Sequence, residues 1–170
     1  SVVPGDQFDS SYFIIHHGIN GVVSIKQQNI GFADGAFGIG ETDFSPDGSK
    51  YAIVGSYAVE VREFDRCKGE LGERILLDKG SIATGEFFYG CAFSPDGTKL
   101  YVTQVEDPPL LIQYDLNGGD QGIKRDTIYQ FFNNHAFGQL QLGLDSNIYM
   151  AAVRRDETLP DTLTRYLHRI

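Results

Sequence analysis

Short apolar runs broken by turn residues fill the chain, and no segment reads as a helix. Ala58–Asp65 (AVEVREFD) sets Val59, Val61 and Phe64 against Glu60, Arg62 and Glu63, the alternation of a half-buried strand with one slip. Before it, KYAIVGS alternates poorly but is rich in β-formers, as in a strand buried on both faces. After it, Arg74–Leu77 (RILL) reads as a short further strand. The same plan returns in KLYVTQV, Leu110–Asp115 (LLIQYD), Asp126–Phe131 (DTIYQF) and Phe137–Leu142 (FGQLQL). An aromatic-Asp pair closes the third strand of each copy, Phe64-Asp65 and Tyr114-Asp115, and Gly40, Gly90 and Gly138 stand at the innermost strands.

The repeat is explicit. Phe44–Val54 (FSPDGSKYAIV) returns as Phe93–Thr103 (FSPDGTKLYVT), and a worn copy follows at Leu142–Ala151 (LGLDSNIYMA), so that Asp47, Asp96 and Asp145 are each 49 residues apart. A fixed period of this size marks a repeat architecture. Each Ser-Pro-Asp-Gly is a turn: Pro presets φ, Asp caps its own backbone, and Gly accepts the left-handed conformation.

Four short antiparallel strands at this period predict an all-β β-propeller built of four-stranded blades. The expected division is a partial blade over 1–38, blades over 39–87 and 88–136, and a partial blade over 137–170, in which TRYLHRI takes the third-strand position. That makes roughly three and a half blades, fewer than a closed ring holds, and predicts a partial propeller associated with the rest of a larger one.

Composition supports a packed domain: 41% of the 170 residues are hydrophobic, 12% aromatic, and 20 are Gly. Lys and Arg number 14 against 23 Asp and Glu, a formal charge of −9 that argues against nucleic acid as a partner. No apolar run is long enough to cross a bilayer. The start has no Met and no signal-peptide pattern, which reads as a processed chain or an internal piece.

The series YFIIHH, FSPDGSKYA, REFDRCKGEL, YGCAFSPDGTKLYVT, GQLQLGLDSNIYMA and YLHRI, in that order, resembles the WD-like propeller region of large bacterial surface proteins associated with gliding motility and type IX secretion. FDRCKGEL and GQLQLGLDSNIYMA carry most of that likeness, which runs from Tyr12 to Ile170. Ser146 in place of the turn Gly and Leu144 in place of Pro depart from it. The resemblance implies an exported, extracellular or cell-surface protein and brings no enzymatic activity or defined ligand.

Candidate chemistry is thin. The three turn aspartates could ring a cation, but turn chemistry explains them and no calcium-loop motif is present. Adjacent His16 and His17 point to opposite faces of a strand and cannot jointly chelate, one being expected buried and the other solvated. His135 and His168 have no acidic or thiol partner nearby in sequence. Cys67 and Cys91 form either a disulfide in an exported protein or two structural thiols, and Arg66 beside Cys67 is a feature of activated thiols. No cofactor, metal site or nucleophile–base pair is expected.

Phe37, Phe87, Phe88, Phe132 and Phe137 cluster in the loops before the inner strands. Exposed, they would bind protein or polysaccharide; buried, they wedge between blades, the reading we favour. The residues phased toward a channel are Glu41 and Asp43, Cys91 and Ala92, then Gln139 and Gln141. These features predict a non-enzymatic interaction or scaffold module that binds through propeller-face loops. The alternatives are a lactonase- or hydrolase-like propeller enzyme with a channel site and a structural spacer in a large adhesin.

Overall fold

A computed structural model describes residues 11–30, 40–81, 83–105, 108–118, 122–130, 135–154 and 167–170. Among them are thirteen strands and no helix. They form four antiparallel sheets in chain order. The first pairs β1 (Ser11–Gly18) with β2 (Gly21–Asn29). The second runs β3 (Gly40–Phe44), β4 (Lys50–Gly55), β5 (Ala58–Asp65) and β6 (Glu70–Lys79). The third runs β7 (Phe88–Phe93), β8 (Lys99–Gln104), β9 (Leu110–Asp115) and β10 (Lys124–Gln130). The fourth holds β11 (His135–Leu142), β12 (Ile148–Arg154) and β13 (Leu167–Arg169). The fourth strand of the second sheet is longer than the RILL segment alone suggests, and TRYLHRI does supply a third strand.

The sheets stack face on face. Ala52, Val54, Val59 and Val61 of the second sheet meet Cys91, Phe93, Leu100, Val102, Ile112 and Tyr114 of the third. The third sheet's other face sets Ala92 and Leu111 against Phe137, Leu140, Ile148 and Met150 of the fourth. Full burial of side chains of this size contributes about 1.5–3 kcal/mol each, so these two seams hold the stack together. Outside the apolar seam, the Tyr114 hydroxyl donates to Asp78 Oδ2 at 2.7 Å and Arg125 Nε donates to the same oxygen at 2.7 Å.

The seam between the first and second sheets is polar. Glu60 and Arg62 of β5, which the alternation places on a solvent face, are 0% and 3% exposed. Arg62 Nε donates to Glu60 Oε1 at 3.0 Å, while its Nη1 and Nη2 donate to the carbonyls of Gly72 and Ile30. Arg74 Nε lies 2.9 Å from Glu60 Oε2, a close charge contact without hydrogen-bond alignment. Gln28 of β2 completes the join: its Oε1 accepts from Leu71 N at 2.9 Å and its Nε2 donates to Leu71 O. The half-buried reading of β5 fails because its polar face is covered: Arg62 bonds to Glu60 Oε1 and to two carbonyls, while Glu60 Oε2 meets Arg74 through charge alone.

The repeated turns do what their residues dictate. Asp47 Oδ1 accepts from Ser45 Oγ at 2.6 Å and from Ser49 N at 3.0 Å, and Asp96 Oδ1 makes the matching bonds with Ser94 Oγ and Thr98 N. Gly48 and Gly97 sit at φ 68° and 67°. Ser146 takes the same place at φ 63°, the left-handed region that disfavours a side chain. The third turn is also one residue shorter. Ser45 N and Ser94 N bond to Lys50 O and Lys99 O, whereas Gly143 N bonds to Asn147 O. A one-residue slip exchanges strand faces, so Ile148 and Met150 are buried where strict periodicity would point to Tyr149 and Ala151.

Removing Glu60 would leave the Arg62 guanidinium buried without its carboxylate. We expect Glu60→Ala to destabilise the protein by about 3–5 kcal/mol, read as a drop in the urea midpoint; a change within error would overturn the polar-seam account. The turns carry a pH signature. The Ser94 hydroxyl bond holds Asp96 down to about 2, the Tyr149 hydroxyl bond holds Asp145 down to about 2, and the Ser45 hydroxyl bond holds Asp47 well below the usual range. Depressed carboxyls contribute stability that is complete above their unfolded values and lost as pH falls through the folded ones. Unfolding on acidification from pH 4 toward 2 is therefore expected to be shallower in the triple Asp47→Asn, Asp96→Asn, Asp145→Asn variant, and identical acid titrations would refute it.

Candidate functional site

The innermost strands β3, β7 and β11 converge along one edge of the stack. Each is the terminal strand of its sheet, so one row of its backbone groups lacks a ladder partner and must be satisfied in another way. Two side chains of β3 do this. Glu41 Oε2 accepts from Cys91 N at 2.9 Å and from Leu140 N at 3.2 Å, and Asp43 Oδ2 accepts from Phe93 N at 3.0 Å. One carboxylate oxygen thereby joins three sheets. Thr103 adds a second tie, its Oγ1 accepting from Gly90 N at 2.8 Å and donating to Gly138 O at 3.0 Å. Gly90 is required here: a Cβ would lie 2.5 Å from Gly138 O.

Beside this edge lies a cleft of about 520 Å³ whose walls include Glu41, Gln139, Gln141, Tyr149 and Leu167. Burial raises the Glu41 carboxyl above its ordinary 4.5, with the Asp43 charge adding and the two backbone donors opposing. Burial likewise raises Asp43, against the Phe93 and Phe44 backbone bonds. A fixed carboxyl with a raised proton affinity, facing a cleft with two amides, is a stronger proton acceptor for a bound ligand than a free carboxylate.

The other expected residues fall elsewhere. Cys91 and Ala92 are 1% exposed and face the seams rather than an open channel. Burial pushes the Cys91 thiol well above its usual value, with Glu41 and Asp43 adding, which removes it as a thiolate nucleophile. Cys67 is exposed in the turn after β5, and both cysteines are free thiols, so the disulfide alternative is not formed. Phe88 and Phe137 are each 2% exposed in the seams, and Phe87 is half-buried against Tyr57 with ring centroids 5.1 Å apart. They are packing residues and not an exposed aromatic surface. Phe37 and Phe132 lie outside the described residues, as do the side chains of His135 and His168. His16 and His17 are both exposed, against the expectation that one is buried. Among the described residues, no group of three or more His, Cys, Asp or Glu is set to hold a metal, and no helix is long and apolar enough to cross a membrane.

Neither a family model nor a curated protein matches the sequence. Solved structures do. A Bacteroides uniformis protein provisionally named a 6-phosphogluconolactonase superposes with a TM-score of 0.59 at 15% identity, over 92% of this chain and 46% of that one. A Lactobacillus plantarum protein superposes with a TM-score of 0.55 at 17% identity, over 95% of this chain and 48% of that one. The chain thus spans about half the length of the structures it matches. At such identity the likeness is one of fold. It corrects the expectation that the chain is not an enzyme: the architecture is shared with a protein named as a lactonase, so the absence of a Ser or Cys nucleophile motif does not exclude catalysis.

The raised carboxyl gives a test of the site's electrostatics. Between 4.5 and its folded value, Glu41 binds more proton in the folded state than in the unfolded one, so its contribution to stability improves as pH falls through that window. We expect wild type to gain stability relative to Glu41→Gln as pH falls from 7 toward 4.5 in urea titrations. An unchanged difference between the two proteins at both pH values would show that Glu41 is not raised.

Proposed function

We propose that the four sheets are blades of a β-propeller whose axial cleft binds a small carbonyl compound and hydrolyses it, as a lactonase-like enzyme, with Glu41 as the proton-handling group. The observation that carries this reading is the Glu41 carboxyl, anchored through Oε2 by two backbone donors, raised by burial, and facing a cleft with the Gln139 and Gln141 amides. In the reaction, Glu41 takes a proton from water as the water oxygen bonds to the carbonyl carbon. The C–O bond to the leaving oxygen then breaks, and the proton passes to that oxygen. An amide N–H stabilises the charge developing on the carbonyl oxygen. The fold shared with the Bacteroides uniformis protein supports the reaction class. The sequence resemblance to exported surface propellers supports a location outside the cell, with polysaccharide or protein as further partners of that larger assembly.

The test is hydrolysis of D-glucono-δ-lactone, followed by proton release above the solvent rate. We expect Glu41→Gln to lose about 10²–10⁴-fold in kcat/KM while its circular dichroism and melting midpoint stay near wild type. A wild-type protein no faster than buffer, or a fully active variant, would sink the proposal.

A further inference from the structure

A second cleft, of about 620 Å³, opens between the β1–β2 hairpin and the turn that joins β5 to β6. It shares no wall residue with the axial cleft. It is lined by apolar Ile14 and Phe64 and by Lys26, Arg66 and Lys68, with the carboxylate of Glu70 in the wall and that of Asp65 beside Lys68. A chain of formal charge −9 has gathered three cations here.

Their present partners are ones an anion can replace. Lys26 Nζ donates to Lys68 O at 2.6 Å and stands 3.6 Å from Glu70 Oε1, and Lys68 Nζ pairs with Asp65 Oδ2 at 3.0 Å. These are exposed pairs, with Lys26 and Lys68 side chains 47% and 67% accessible, and such pairs contribute little. Arg66 Nη1 donates to Asp47 O at 2.8 Å, one of five N–H groups a guanidinium carries. The turn that aims Arg66 and Lys68 is preset: Asp65 Oδ1 accepts from Cys67 N and from Lys68 N, each at 3.0 Å.

We propose that this groove binds a small dianionic organic ligand, a dicarboxylate or a phosphate monoester, whose charges meet Lys26, Arg66 and Lys68 while its carbon skeleton covers Ile14 and Phe64. Two point charges and one planar fork beside apolar side chains suit such a ligand better than a bare halide or a long polyanion.

Cys67 lines the groove and is exposed, whereas Cys91 is buried, so one thiol reports on occupancy. The experiment follows the alkylation rate of Cys67 in the 170-residue protein with neutral iodoacetamide. Succinate or glucose 6-phosphate is titrated against sodium chloride of equal ionic strength. The rate is expected to fall about threefold or more at saturation, beyond the screening that salt produces alone. Protection by succinate only assigns carboxylates, and protection by glucose 6-phosphate only assigns phosphate. The double variant Lys26→Gln, Lys68→Gln, which alters two exposed side chains, is expected to lose protection while keeping its melting midpoint. No protection by either compound beyond that of salt overturns the proposal, and so does protection that survives in the variant.

Discussion

The free inner edges of β3, β7 and β11 set the problem that the rest of the stack solves. A strand at a sheet edge keeps a row of N–H groups without ladder partners, and three such edges meet here. From β3, Glu41 Oε2 answers one N–H group on β7 and one on β11, those of Cys91 and Leu140, and Asp43 answers a further N–H of β7, that of Phe93. These bonds fix how far and at what level successive sheets stand from one another. The apolar seams then close at that spacing, with Gly90 allowing the backbones of β7 and β11 to approach more closely than any side chain would permit.

Away from that edge, neighbouring sheets use different chemistry for the same task. The second and third sheets meet through aliphatic and aromatic side chains, whereas the first hairpin and the residue that follows it meet the second through Arg62 on Ile30 O, Gln28 on Leu71, and Lys26 on Lys68 O and Glu70, with Glu60 and Arg74 beside Arg62. An apolar seam tolerates sliding because its attraction is non-directional. A seam of charged groups bonded to named carbonyls does not, since any other register leaves a buried charge unpaired. The polar seam therefore fixes the register of the β1–β2 hairpin against the stack. It leaves the hairpin's other face, with Phe13, Ile15, Val23 and Ile25, exposed.

Much of this was legible in the residues, and the failures have physical causes. The Ser-Pro-Asp-Gly turns and the strands between them follow from local chemistry, because φ preferences and Asp capping act within four residues. The phase of Glu41, Asp43, Gln139 and Gln141 toward the inner edge was also legible from the repeat. Burial of Glu60 and Arg62 was not, since alternation reports two faces and cannot say whether a second sheet covers the polar one. Nor was the face exchange in β12, where one lost residue leaves the Asp145 spacing intact but shifts every side chain after the turn. Ala92 shares the phase of Asp43 and Gln141, yet a neighbouring sheet buries it, while Cys91 lies one residue out of that phase, in step with buried Leu140.

Donors that stabilise an anion lower its proton affinity, which works against chemistry at a carboxylate that holds an architecture together. In Glu41 the balance falls the other way: loss of water around the group outweighs two backbone N–H bonds, and Asp43, two residues along the same strand, adds like charge. Both structural bonds also end on one oxygen. The bonds hold the group in place, and burial together with Asp43 raises its basicity. Those are the two properties a general base needs, and they come from the same edge-satisfying geometry that the fold requires in any case.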